Sequence, residues 1–209
     1  MTSKPPSNPA PNWDQRFSQP GFLFGTEPNA YLESWRHLFV SGKKALAVAD
    51  GEGRNSVWLA RQGLQVDAFD SSPVGVAKAG QLAQSAGVSV NFNVFDCDSW
   101  TWQTQAYDYV VAIFIQFAPP AMRQRLFANM QRTLKPGGCL ILQGYTLKQL
   151  QYNTGGPGQP DQLYTEELLK SAFANLEIID LQAYEAILDE GAQHRGPSAL
   201  IGMVGRLPG

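Results

Sequence analysis

Apolar residues recur along this chain in two rhythms. Short unbroken runs occupy 45–49, 65–69, 107–114 and 139–143. Runs of that length are too short for a stable helix and predict buried strands. The stretch 88–95 alternates or runs apolar and predicts one more. Between them, apolar residues three and four apart predict helices. Over 54–62, Val57, Leu59 and Ala60 can face a sheet, Arg54 and Arg61 can face water, and Gly63 is placed as a stop. Over 73–86, Pro73 suits the first turn, Ser71 or Ser72 can cap it, and Val74, Ala77, Leu82 and Ala83 supply the apolar positions. Over 121–134, Met122, Leu126, Phe127 and Met130 point inward, and Thr165 opens a further helix. Upstream, 28–40 predicts a helix with Tyr31, Leu32, Trp35, Leu38 and Phe39 on one face. The stretch 176–188 predicts a sixth strand, 189–197 a turn, and 198–204 a strand returning antiparallel. Strands alternating with helices predict an α/β fold with a mostly parallel sheet.

The stretch 45–70 reads ALAVADGEGRNSVWLARQGLQVDAFD: strand, glycine turn, helix, strand, terminal carboxylate. Such a βαβ unit binds nucleotide-like ligands, with glycines admitting close backbone approach, helix N–H groups facing the ligand, and the carboxylate accepting ribose hydroxyls. Gly51 and Gly53 form the turn and Asp70 is that carboxylate. The dinucleotide fingerprint is incomplete, because Ser56 stands where its third glycine would be. A tight turn without a ligand is the other reading; the spacing to Asp70 favours the first.

Composition narrows the choice. With 209 residues, 44% hydrophobic and 16% charged, the chain suits one globular domain. A formal net charge of -2 supplies no field to draw nucleic acid. No apolar run approaches the roughly 20 residues needed to span a bilayer. Residues 1–12 read as a loose tail rich in Pro and Ser, without the apolar core of a signal peptide. Cys97 and Cys139 are the only cysteines and there are two histidines, which argues against a disulfide framework or a zinc cluster. A reducing cytoplasm is the expected compartment. Cys139, inside an apolar strand, reads as core and not as a nucleophile, and His37 as a packing or surface residue.

GEGRNSVWLA followed by VDAFD, with LKPGG before the fifth strand, resembles the class I S-adenosylmethionine-dependent methyltransferases. The branch containing the tellurite-resistance and thiopurine methyltransferase-like proteins is the nearest. The resemblance runs from Trp13 onward. It implies a Rossmann-like sandwich with an antiparallel C-terminal hairpin and S-adenosylmethionine as cofactor. Residues 13–43 would then be a cap, 44–143 the cofactor half and 144–209 the substrate half. Where the family has an acid ending strand one and a first glycine, this chain has Ala47 and Ala49. That acid helps hold the methionyl amine; either Asp50 takes over or affinity is reduced. The resemblance further assigns Asp96 to the adenine amino group and Cys97 to the base, with Ser71 and Phe114 also beside the cofactor. The leader, with WDQRF and FGTEPN, would lie over the cofactor, making Phe24 and Trp35 candidates for the sulfonium or a hydrophobic substrate.

In an open α/β sheet the loops after the strand ends form the site, which adds Gln116 and Phe117 on the substrate side. If strand six runs parallel to strand five, the 189–196 loop hangs over the same pocket. His194 could then take a proton from a thiol-like acceptor near neutral pH, and Arg195 could bind an oxyanion. The segment 144–160, rich in Gly and Pro, reads as a mobile flap rather than a packed element. Asp96 or Asp98 capping a short helix is the competing structural role. The expected function is methyl transfer to a small soft nucleophile, a thiol or a metalloid oxyanion, by a monomer or homodimer with no nucleic-acid or membrane partner. The alternatives are a non-catalytic binder of S-adenosylmethionine or S-adenosylhomocysteine, and an NAD-dependent oxidoreductase. The latter leaves LKPGG and the terminal hairpin unexplained.

Overall fold

The apolar runs become neighbouring strands. A computed structural model describes residues 12–152, 154–191 and 193–209. Five strands pair in parallel: β1 (Lys44–Val48), β2 (Gln65–Asp70), β3 (Asn91–Val94), β4 (Tyr107–Ile113) and β5 (Leu134–Tyr145). β6 (Glu177–Asp189) and β7 (Arg195–Arg206) form an antiparallel hairpin, and β7 pairs antiparallel with β5. The order across the sheet is β3-β2-β1-β4-β5-β7-β6. Two antiparallel steps make β6 run the same way as β5. The β6–β7 loop therefore opens at the edge where β1, β2, β4 and β5 end, as the topology of the sequence required.

The two-residue rhythm of the strands sorts side chains between two layers. Leu46, Val48, Val110, Ala112, Leu140 and Leu142 meet Leu126, Phe127 and Met130 of α5 (Pro120–Thr133) and Leu169 of α6 (Glu166–Ala172). On the other face, Ala45, Val66, Tyr109, Val111, Ile141 and Val204 meet Trp58 and Leu59 of α3 (Arg54–Arg61) and Tyr31 and Leu32 of the leader. α4 (Pro73–Ser85) lies against α3. Its cap is Ser72, whose Oγ accepts from the Gly75 amide, and Thr165 caps α6 through the Leu168 amide. No helix among the described residues is long and apolar enough to cross a membrane.

Several expectations change. Of the expected 1–12 tail only Asn12 falls within the described residues, and its side chain caps α1 (Trp13–Phe17) by accepting from Gln15 N at 3.1 Å. The helix expected over 28–40 is two pieces, α2 (Ala30–Ser34) and a 3-10 turn at Arg36–Leu38. The break at Trp35 lets the Tyr109 hydroxyl reach this turn. It donates to Leu38 O at 2.8 Å and accepts from Val40 N at 3.1 Å. The LKPGG segment is an excursion at the start of β5: Leu134 faces Tyr107 and the register then jumps to Cys139 opposite Tyr109, with Gly137 at φ +77°. The start of the 144–160 segment, expected as a loose flap, is packed through Gly144, Tyr145 and Gln149, while its described residues after Gln149 are exposed or half-buried. Gln149 is buried; its Oε1 accepts from Ala199 N at 2.8 Å, and its Nε2 donates to Thr154 Oγ1 and Gly155 O at 3.0 and 3.2 Å. One glutamine thus supplies the backbone partners that the irregular segment lacks.

Candidate active site

The turn after β1 needs left-handed backbone three times: Ala49 at φ +49°, Gly51 at +62° and Gly53 at +89°. Gly53 also has to be small, since a Cβ there would stand 2.6 Å from Ala79 Cβ, so this glycine sets how closely α3 approaches α4. The Gly51 amide donates to Asp70 Oδ2 at 2.9 Å, and Ser72 N donates to Oδ1 at 2.9 Å. Asp70 is buried at the end of β2; burial raises its carboxyl pKa and these two N–H groups oppose that. The carboxylate keeps lone pairs to spare beside this turn, a chemistry that suits the ribose hydroxyls of the expected cofactor. Ser71 lies exposed next to it.

The remaining cofactor-side residues have structural partners of their own. Asp50 faces α3, accepting from Ser56 Oγ and, at 3.3 Å, from Ser56 N; its burial pushes the carboxyl up to about 7. Asp96 is exposed and accepts from Asp98 N and Ser99 N at 2.9 and 2.7 Å, which closes a turn; the short helix it was expected to cap does not form, since 97–100 are turn and bend and β4 is the next element. Cys97 is core, packed in the cluster that contains Phe69, and burial raises its thiol to about 12. Cys139 is also core, in β5. Ala47 is buried in β1 and brings no charge to the turn.

Leader and hairpin meet above this edge. α1 seats Phe17 on the turn, its ring 3.2 Å from where a Gly51 Cβ would lie. Glu52 accepts from Leu23 N at 2.6 Å and pairs with Lys78 at 2.9 Å. Arg54 donates to Phe24 O at 3.3 Å and pairs with Glu190 of the hairpin loop at 2.7 Å. Asn29, fully buried, joins the same network: its Nδ2 donates to Gln143 at 2.6 Å and to Glu190 at 3.1 Å, and its amide donates to Asn55 at 2.9 Å. His194 is enclosed by rings, with Phe24 and Phe114 at centroid distances of 4.5 and 4.3 Å and Tyr145 at 5.9 Å. Phe114 itself stacks on Tyr145 at 4.7 Å and sits at φ +56°. Both His194 Nδ1 and the Tyr145 hydroxyl are buried without a hydrogen-bond partner among the described residues. A buried polar atom left unpaired carries a desolvation cost of about 1–3 kcal/mol.

Four sequence expectations fail on position and one on chemistry. Arg195 is 75% exposed and turned to Asp189 at 3.5 Å, outside the ring of aromatics, because β7 begins there and alternation sends its side chain outward. Trp35 packs on Tyr31 and His37 over the α3 face of the sheet, not beside Phe24. Gln116 is committed to the fold: its Nε2 donates to Tyr145 O and Gln162 O and its Oε1 accepts from Tyr145 N. Phe117 likewise packs against the α5 core. His194 is in place, but burial, with the charges of Arg54 and Arg16, lowers its pKa to about 3. It is therefore neutral near pH 7 and a weak base. Sequence reasoning missed Asn29, Arg54, Glu190 and Tyr145. Only Asn29 carried a local signal, as a capping residue opening α2; Arg54 and Glu190 meet across 136 residues, and Tyr145 meets Phe114 and His194 only through the tertiary fold.

Residues 45–138 match the profile of a methyltransferase domain family. The chain is 27% identical over 183 residues to ribosomal protein L11 methyltransferase from Campylobacter concisus, covering 82% of this chain and 58% of that protein. It is 29% identical over 160 residues to demethylmenaquinone methyltransferase from Renibacterium salmoninarum, covering 72% and 62%. Thus it spans less than two thirds of the length of either relative. The crystal structure of TehB from Haemophilus influenzae superposes with a TM-score of 0.70 at 17% identity, covering 86% of this chain and 62% of that one. That likeness concerns the fold. The Gly51–Asp70 turn lies inside the stretch 45–138 that matches the methyltransferase domain family, and the strand order gives the fold in which that stretch is set.

Proposed function

We propose that the chain transfers a methyl group from S-adenosylmethionine to a small soft nucleophile, a thiol or a metalloid oxyanion, as expected for the tellurite-resistance and thiopurine methyltransferase-like branch. The observation that carries the reading is the pairing of the Gly51–Asp70 cradle with a closed aromatic group around His194 at the same sheet edge. Residues 13–43 act as cap, 44–143 hold the cofactor, and 144–209 supply the acceptor side.

When bound, the cofactor supplies an electrophilic methyl on a sulfonium. The protein's part is to hold two partners in line and keep water out, a contribution of up to about 7–11 kcal/mol in well-oriented systems. Asp70 anchors the ribose, with Gly51, Gly53 and Ser71 around it. Phe24, Phe114, Tyr145 and His194 enclose the acceptor and exclude water. Neutral His194 and the Tyr145 hydroxyl orient the acceptor by hydrogen bonds, so proton removal falls to the medium or to the acceptor's own acidity. Arg16, which donates to Gln193 Oε1 at 3.2 Å and lies 4.4 Å over the Trp13 ring, joins Arg54 as a cation on this side in place of Arg195.

Calorimetry with S-adenosylhomocysteine and with NAD, using Asp70→Ala as control, tests the cofactor. Radiolabelled transfer to a panel of thiols and metalloid oxyanions tests the acceptor. Binding of S-adenosylhomocysteine alone, lost in the variant, together with transfer to one acceptor class is the expected result. Binding without transfer to any acceptor would favour the non-catalytic binder, for which Ala47 is the specific argument.

A further inference from the structure

We infer that the free edge of β6 is a dimer interface: a second copy of this chain pairs antiparallel with β6, in a register centred on Ala183, and the two seven-stranded sheets become one.

A sheet edge offers a row of unpaired N–H and C=O groups, and chains that stay single blunt it with short strands, lysine or proline. The β3 edge is blunted in this way, with four residues. The β6 edge is not. It is the longest strand of the sheet at 13 residues, contains no Lys, Pro or Gly, and leaves Ile178, Ile179 and Ile187 39, 41 and 82% exposed. A copy related by a two-fold axis meets this strand antiparallel. With the axis at Ala183, Ile187 of one copy lies opposite Ile179 of the other. The bulge between Ile178 and Asp180 sets two residues against one, so Ile178 joins that contact. The three exposed isoleucines are thus covered by one another, once on each side of the axis, and this self-matching favours a second copy over an unrelated strand. The charges suit the same register. Asp180 falls opposite Ala186, and Glu185, already paired with Lys148, falls opposite Leu181. Glu177 and Asp189 approach each other near the ends, where Arg206 and Arg195 stand across from them on β7, so each end holds as many cations as acids. At about 3.4 Å per residue the edge is about 44 Å long, and a standard interface of about 800 Å² per partner needs a strip only about 18 Å deep along it. α6 beside β6 on one face, and Tyr31 of the leader, bonded to Asp180 at 2.9 Å on the other, supply that depth. The second copy then braces the end of β6 that leads into Glu190 and His194.

Sedimentation equilibrium on the full chain should give twice the 22.9 kDa of the single chain. Ile187→Lys should weaken the dimer by about a hundredfold or more while the far-ultraviolet spectrum stays unchanged. Residue 183 lies opposite its own copy, and opposed residues of an antiparallel pair stand about 4.5–5.5 Å apart at Cα, within disulfide reach. Ala183→Cys should therefore give a covalent dimer on mild oxidation, whereas Glu177→Cys, whose two copies lie about 40 Å apart, should not. Cys97 and Cys139 are buried and add no background. A monomer at about 100 µM, a dimer that Ile187→Lys leaves intact, no cross-link at residue 183, or equal cross-linking at 177 would each overturn the inference.

Discussion

Replacing Glu190 by Ala should cost more stability than any exposed substitution in this chain. Arg54 Nη2 and Glu190 Oε2 lie 2.7 Å apart with side chains only 7% and 10% exposed. Glu190 also accepts from Asn29 Nδ2 and Ala30 N, at 3.1 and 3.0 Å. Removing the carboxylate leaves a buried guanidinium without its counter-charge, a loss of about 3–5 kcal/mol where one partner of a buried pair is deleted. At roughly 2–4 °C per kcal/mol for a domain of this size, the melting temperature should fall by about 6–20 °C. Urea unfolding followed by tryptophan fluorescence measures the first, calorimetry the second. The double variant Arg54→Met with Glu190→Leu should recover most of the loss, because an apolar replacement of the whole pair is often neutral. Amide exchange in 193–196 should rise in the single variant. A loss under about 1 kcal/mol, the range of an exposed pair, would refute the claim that this contact closes the hairpin onto the leader.

The other expectations concern single groups. Tyr145→Phe removes an unpaired buried hydroxyl, so stability should hold or rise by about 1 kcal/mol while the acceptor KM rises about tenfold; unchanged kinetics would remove Tyr145 from the acceptor site. Asp50, raised to about 7 in the fold, contributes stability that is full below pH 3.8 and is lost as pH rises toward 7; Asp50→Asn should flatten this slope and gain about 1 kcal/mol or more at pH 8, read by urea unfolding across pH. Ala49→Gly relieves a left-handed alanine and should stabilise by a few tenths to about 1 kcal/mol in the same assay, the strain relief exceeding the entropy that glycine adds to the unfolded chain. With His194 lowered to about 3, the rate profile should lack an acid limb near pH 6.5, and a limb there that vanishes in His194→Gln would contradict its neutral role.

The βαβ turn was legible because its signals are local. Strand, turn, helix and Asp70 fall within 26 consecutive residues, and backbone chirality, glycine geometry and burial decide each step over a few positions. The aromatic group around His194 and the Arg54–Glu190 network assemble from both chain ends. Phe24, Asn29, Phe114, Tyr145 and Glu190 meet only after the hairpin folds back along β5, and no periodicity encodes that meeting. Alternation explains the pair that was misjudged: His194 and Arg195 are neighbours in sequence, one side chain turns in and the next turns out. Burial was the other hidden variable. Nothing in the order of residues shows that Gln116 would spend its carboxamide on β5 and the 160s loop, or that His194 would be too dry to hold a proton.

The five residues Asp50-Gly51-Glu52-Gly53-Arg54 join the two halves. Gly51 and Gly53 have no side chains, which frees the backbone for Asp70 on one side and Ala79 on the other. The charged residues beside them turn away to different partners. Glu52 holds the leader through Leu23 N and Lys78, while Arg54 holds both the leader through Phe24 O and the hairpin through Glu190. A movement of the turn large enough to leave Asp70 must strain contacts of at least one of these ties, because all five residues share one short stretch of backbone. Packed interiors respond to such strain by switching between arrangements more than by bending. The ties of Glu52 and Arg54 thereby place the Gly51–Gly53 turn in mechanical contact with the leader and with the hairpin loop beside His194.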